Sequence, residues 1–230
     1  MNMNILFLHG MGGGQTTRMP KKLNQVLSKM NFTKDGEPCT LHVICETYDF
    51  DPEVATQQIG QWVETYQPVM VISESMGAIH ALGIQGIPHI YLSPALNYDR
   101  GVKMAMPLVA IGEMMGFHYK QQRGANNQLI HGDTQLLAKF RPMIQSYKEA
   151  IRRNPNPDTS YAYFGDKDEF KLAGIVSIKE YESLFGDSYE VYEGGHVLDV
   201  RHAKGVLVPK IAEMLGLDIV KPQRKKKNNN

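Results

Sequence analysis

The sequence predicts an α/β protein: a mostly parallel six-stranded sheet with helices on both faces and a helical insertion near its middle. Short apolar runs alternate with longer stretches of helical periodicity, as in a parallel sheet covered on both sides. Most of those runs are continuous rather than alternating in polarity, which suits central strands buried on both faces. Several of them also empty directly into short polar or glycine-rich loops, the expected position of a site at the carboxyl edge of such a sheet.

The elements follow in order. The first strand spans Asn4–His9 and runs into the loop Gly10-Met11-Gly12-Gly13-Gly14. Pro20 is placed as a first-turn residue, and Leu23, Val26, Leu27 and Met30 then recur at helical spacing. The second strand is Leu41–Glu46. Asp51-Pro52 starts the next helix, with Val54, Ile59, Trp62 and Val63 as its apolar face. Further strands are Val69–Ser73, His89–Ser93, Tyr161–Phe164 and Tyr189–Tyr192; further helices are Ile178–Phe185 and His202–Leu215, the last ended by Gly216.

From Tyr98 to Pro157 the alternation lapses. Two helix-like segments, near Val102–Met115 and Thr134–Arg153, flank the polar stretch GFHYKQQRGANNQ. That is too long for an ordinary connection, so residues 98–157 are expected to form a helical cap or lid inside a domain spanning 1–220. Residues 221–230, KPQRKKKNNN, are expected to be a solvated, disordered basic tail.

Composition narrows the function. At 42% hydrophobic over 230 residues, the chain has enough apolar surface for a large core without metals or disulfides. The formal net charge of +1, mixed along the chain, gives no reason to expect nucleic acid or an anionic membrane as the main partner. The two cysteines, Cys39 and Cys45, read as reduced thiols. No stretch reaches the length of a membrane span, and Ile5 to Leu8 is too short and lacks the basic flank of a signal peptide, so a cytoplasmic protein is expected.

Four local signals carry chemistry. Ser73-Glu74-Ser75-Met76-Gly77 follows the strand VMVIS, and a serine on a sharp strand-to-helix turn has its hydroxyl lifted above the sheet edge. The turn requires small residues two before and two after the serine, met by Ser73 and Gly77. The loop at Gly10–Gly14 fits neither a dinucleotide fingerprint nor a phosphate-binding loop, since its glycines are wrongly spaced and no G-x-x-x-x-G-K-[ST] occurs. It is better suited to bringing the backbone N–H of Met11 close to the serine; with the N–H of Met76 this makes a two-donor oxyanion hole. Gly165-Asp166-Lys167-Asp168 places two carboxylates after a strand: Asp168 is far enough along to turn back over the edge, while Asp166 can equally cap its own turn. Finally, Gly194-Gly195-His196 sets a histidine in a loop after the last strand. Seven other histidines, among them His42, His89 and His202, have no such company.

Nucleophile, acid and base thus occur in the order Ser75, Asp168, His196, each at the carboxyl end of a predicted parallel strand. The chemistry expected is acyl transfer from a carboxylic ester or thioester of a small or acyl substrate through an acyl-enzyme, with no metal or cofactor. A non-catalytic binding protein of the same fold, or a peptidase or acyltransferase using the same triad, are the alternatives. Gly12, Met104 and Met114 are expected to contact substrate, the methionines as part of a flexible apolar surface with Met106, Leu108, Val109, Ile111 and Met115. Packing of the cap onto the sheet explains that stripe equally well.

The motifs LFLHGMGGG, SESMGA, IYLSPALN, GDKDE and EGGHVLD together resemble the α/β-hydrolase superfamily and, more narrowly, the small bacterial YqiA-like esterases. The resemblance implies a compact α/β-hydrolase fold lacking the first two strands of larger members, with esterase or thioesterase activity and with the family roles on Ser75, Asp168, His196 and the loop at Met11. Ser73 departs from the usual glycine, and residues 98–157 match nothing in that pattern.

Overall fold

The computed structural model describes residues 1–155 and 159–220. The tail expected at 221–230 lies outside the described residues, as does the end of the insertion at 156–157.

The strands are β1 (Asn2–Leu8), β2 (Asn31–Lys34), β3 (Glu37–Ile44), β4 (Met70–Glu74), β5 (His89–Leu92), β6 (Tyr119–Gln121), β7 (Ile130–Gly132), β8 (Ser160–Gly165), β9 (Tyr189–Tyr192) and β10 (Asp218–Val220). The helices are α1 (Arg18–Leu27), α2 (Pro52–Tyr66), α3 (Gly77–Ala81), α4 (Tyr98–Met114), α5 (Thr134–Arg153), α6 (Ile178–Phe185) and α7 (Val208–Leu215).

The main sheet has eight strands, not six, in the order β10-β2-β3-β1-β4-β5-β8-β9. Its parallel part, β3-β1-β4-β5-β8-β9, contains every strand expected from the sequence. The two added strands lie at one edge: β2 runs antiparallel to β3 and to β10. Asp35 and Gly36, with φ of 53° and 83°, form the two-residue hairpin turn between β2 and β3. The Asp-Gly pair is a hairpin signal in the sequence, but the short polar run NFTK before it conceals the strand.

The core divides into two layers because side chains alternate across each strand. Leu6, Leu8, Val71, Tyr91, Ala162 and Phe164 pack with α2, α3, α5 and α6 on one face. Ile5, Phe7, Met70, Ile72, Ile90, Leu92 and Tyr163 pack with α1 and α7 on the other. Within α2 the inward residues are Pro52, Ala55 and Ile59, whereas Val54, expected on the buried face, is exposed. The helix expected at His202–Leu215 begins instead with a π-helical turn, Ala203–Leu207, and becomes α-helical only from Val208. Pro209 has no N–H to close an ordinary turn there, so the wider turn accommodates it.

Much of the insertion belongs to the helical layer of the sheet. Its second helix, α5, buries Leu136, Leu137, Phe140, Ile144 and Ile151 in the helical layer beside α2 and α6. Lys148 of α5 is also buried, paired with Glu180 of α6 at 2.9 Å and donating to Asn97 Oδ1 at 2.9 Å. Between α4 and α5 the polar stretch forms the ribbon β6–β7, which the sequence does not predict, since strands of three residues carry too little pattern.

Candidate functional site

Ser75 lies between the end of β4 and the start of α3 with φ of 51°, a left-handed conformation that costs a non-glycine residue of order 1–3 kcal/mol and persists only when its surroundings fix it. They do so through its backbone: its N–H donates to Leu92 at 3.0 Å, and its carbonyl accepts from Ala78 and Ala95 at 3.1 and 3.0 Å. Gly77 is demanded by contact rather than by φ. A Cβ there would stand 2.2 Å from the Leu8 carbonyl oxygen, so only glycine lets α3 start this close to β1.

On the far side of β5, the loops after β8 and β9 cross each other. A Cβ on Gly165 would lie 2.1 Å from the Gly195 carbonyl oxygen, so this glycine is what permits the crossing. Asp166 is exposed and accepts from the Gly194 N–H at 2.8 Å, pinning the second loop to the first. The Asp168 side chain is fully buried: Oδ1 accepts from the Phe170 N–H at 2.9 Å and Oδ2 meets His196 Nδ1 at 2.9 Å. The other ring nitrogen, Nε2, is 2.7 Å from Ser75 Oγ. The Phe170 ring meets the imidazole edge-on, 4.6 Å between centroids, and limits its rotation.

The glycine-rich loop lies against the other side of Ser75 and is held from above by the insertion. Gln128, buried at the foot of β7, accepts from the Gly12 N–H at 2.9 Å, donates to the Asp49 carbonyl at 3.3 Å, and uses its own N–H on the Gly13 carbonyl at 2.7 Å. Asn127 Nδ2 adds a bond to the Gly12 carbonyl at 3.2 Å. Among the described residues, the backbone N–H groups of Met11 and Met76 meet no hydrogen-bond acceptor. Gln128 has no local signal in the sequence, since its partner Gly12 is 116 positions away.

Beneath that loop the His9 ring stacks on Tyr48 at 4.1 Å, and Tyr48 meets His80 edge-on at 4.9 Å. The Tyr48 hydroxyl donates to the His9 carbonyl. Burial pushes His9 down to about 4, against a small opposing effect of the Gly10 carbonyl, and His80 down to about 3, so both rings are neutral at ordinary pH. Glu74, beside Ser75, is buried as well; burial raises its carboxyl above the usual range, partly offset by the neighbouring His196. Cys45 Sγ donates to the Gly14 carbonyl at 3.4 Å, and burial pushes its thiol up to about 12.

The structure therefore brings Ser75, Asp168 and His196 into one hydrogen-bonded chain, with Met11, Gly12 and Met76 on the adjoining backbone. Met104 and Met114 are exposed on the outer side of α4.

No protein-family model matches the chain, and no curated protein does. Solved structures do. Est1E from Butyrivibrio proteoclasticus, determined with ferulic acid bound, superposes with a TM-score of 0.52 at 13% identity, covering 91% of this chain and 90% of that one. A structure from a study of carboxylesterases of the ammonia-oxidizing thaumarchaeon Nitrososphaera gargenis gives 0.52 at 13% identity, over 93% and 91%. An extracellular α/β-hydrolase from a Paenibacillus species gives 0.53 at 10% identity, over 93% and 97%. At these identities the likeness establishes the fold: the chain has an α/β-hydrolase-like architecture.

Proposed function

We propose that this protein is a serine hydrolase that cleaves carboxylic ester or thioester bonds of a small or acyl substrate. The observation that carries the reading is the His196 ring lying between Ser75 Oγ at 2.7 Å and a buried Asp168 carboxylate at 2.9 Å. In this reading Ser75 attacks the acyl carbon as Nε2 of His196 takes its proton. Asp168 holds the Nδ1–H tautomer and stabilises the imidazolium. The N–H groups of Met11 and Met76 receive the oxyanion, the departing alcohol or thiol takes the proton from His196, and water, activated by the same ring, releases the acid. The first part of the insertion, α4 with β6–β7, acts as a partial cap over the glycine-rich loop.

The esterase names of the structural neighbours support an ester as substrate class, and the narrower likeness to the YqiA-like esterases belongs to the same proposal. The test is labelling by a fluorophosphonate followed by turnover of p-nitrophenyl esters and acyl thioesters. Stoichiometric modification of Ser75 in the wild type is expected, with none in Ser75→Ala, whose turnover falls by at least about three orders of magnitude. Well-folded protein that neither labels nor turns over any ester or thioester overturns the proposal.

A further inference from the structure

Helix α4 has no charged side chain from Met104 to Gly112, yet only one of its apolar faces is used. Val102, Met106 and Val109 turn inward to the core that α5 shares. On the opposite side Met104, Leu108, Ile111 and Met115 recur at i, i+4, i+7 and i+11, and all are exposed, Leu108 to 75%. Met114, at 89%, borders that stripe. Phe117 folds back on its end, donating its N–H to the Gly112 carbonyl at 2.8 Å, and Phe117 and Tyr119 are exposed too. A helix that is apolar all round is ordinarily buried or set against lipid, and a contiguous exposed apolar patch marks an interaction surface.

Within this segment of the chain the basic residues Arg100, Lys103, Lys120 and Arg123 outnumber the acids Asp99 and Glu113, and Arg100 and Arg123 lie against Gly174 and Gly12, where α4 and the ribbon border the candidate site. Of these, Glu113 is already engaged by the N–H and hydroxyl of Thr134 at the start of α5, both at 2.9 Å. The patch also connects to the candidate site. The Tyr98 hydroxyl, in the first turn of α4, lies 3.4 Å from Met11 Sδ, and the Asn97 N–H donates at 3.1 Å to Ile175, on the loop that follows Asp168 and exposes Phe170 and Leu172.

We infer that the outer face of α4, with Phe117 and Tyr119, is a docking surface for an anionic lipid surface, on which the protein lies with its candidate site near the headgroups. Charge selects this occupant. A second copy placed across a two-fold axis would set the basic rim against itself, whereas anionic headgroups complement it while the methionines, leucine and isoleucine enter the acyl boundary. The helix lies in the interface: among the described residues, no helix is long and apolar enough to cross a membrane.

The test is co-sedimentation of the full chain with phosphatidylglycerol/phosphatidylcholine vesicles and with pure phosphatidylcholine vesicles, at low and high salt. The wild type is expected to bind the anionic vesicles at least about tenfold more tightly than the neutral ones, and less tightly as salt rises. Leu108→Glu/Ile111→Glu should lower that binding at least about tenfold with an unchanged circular dichroism spectrum and melting temperature. Ser75→Ala should bind like the wild type, so this result is independent of the hydrolase reading. Absence of wild-type binding overturns the inference, and so does equal binding by the double variant, as when the basic residues of 221–227 carry the attraction instead. A lipid-free dimer in ultracentrifugation that the double variant abolishes would assign the face to a second copy and overturn it as well.

Discussion

Asp166 and Asp168 stand on the same turn and both accept hydrogen bonds, yet their surroundings separate their roles. Asp166 is exposed and spends one oxygen on the Gly194 N–H, which an amide oxygen accepts equally well. Asp168 is enclosed and faces a ring nitrogen that must carry its proton for the opposite nitrogen to accept from Ser75. Under the proposed function Asp168→Asn is expected to lower kcat by roughly three to four orders of magnitude, because an amide presenting its NH2 favours the wrong tautomer. Asp166→Asn is expected to stay within about threefold of wild type, since its one loop contact survives. Steady-state kinetics on a single chromogenic ester compares them, and the reverse ranking would exchange the two residues.

The glycine-rich loop depends on an element far from it in the chain. Gln128 and Asn127, at the foot of the β6–β7 ribbon, bond Gly12 and Gly13 of that loop, so under the proposed function the insertion would hold the Met11 N–H in place. Gln128→Ala removes the acceptor for Gly12 and the donor to Asp49, a loss expected to cost about 1–3 kcal/mol of stability because the Gly12 N–H is left buried without a partner. Under the proposed function its effect on kcat should be about tenfold to a hundredfold, with KM for a short ester nearly unchanged, as displacement of the proposed oxyanion donor requires. Gln128→Glu keeps the acceptor for Gly12 and should recover part of kcat. Full activity in Gln128→Ala would show that the loop holds its shape without the ribbon.

Across the whole molecule, buried neutral histidines couple the fold to acid. Burial pushes His9 and His89 down to about 4 and His80 to about 3, below the usual value near 6.5. The unfolded chain therefore binds these protons first, and stability falls as pH drops from about 6.5 towards 4, by up to about 1.4 kcal/mol per histidine for each pH unit. Glu74, raised by burial, holds its proton more tightly folded than unfolded and works in the opposite direction, one group against three. The urea midpoint is expected to decline steadily across that window and His89→Gln to flatten the decline; a midpoint flat from pH 7 to 4.5 would contradict it. What the sequence alone determined was the parallel core and the order of its polar residues. Continuous apolar strands and the Gly77 and Gly165 positions are written locally, because strand burial and close backbone approach leave a mark on residue type wherever they occur. The edge strands β2 and β10, the ribbon β6–β7, the place of α5 in the helical layer and the clamp by Gln128 were decided only in three dimensions. β10, α5 and Gln128 depend on partners distant in the chain, while β2 and the ribbon are short polar segments whose few residues show no periodicity that reveals what they will be folded against.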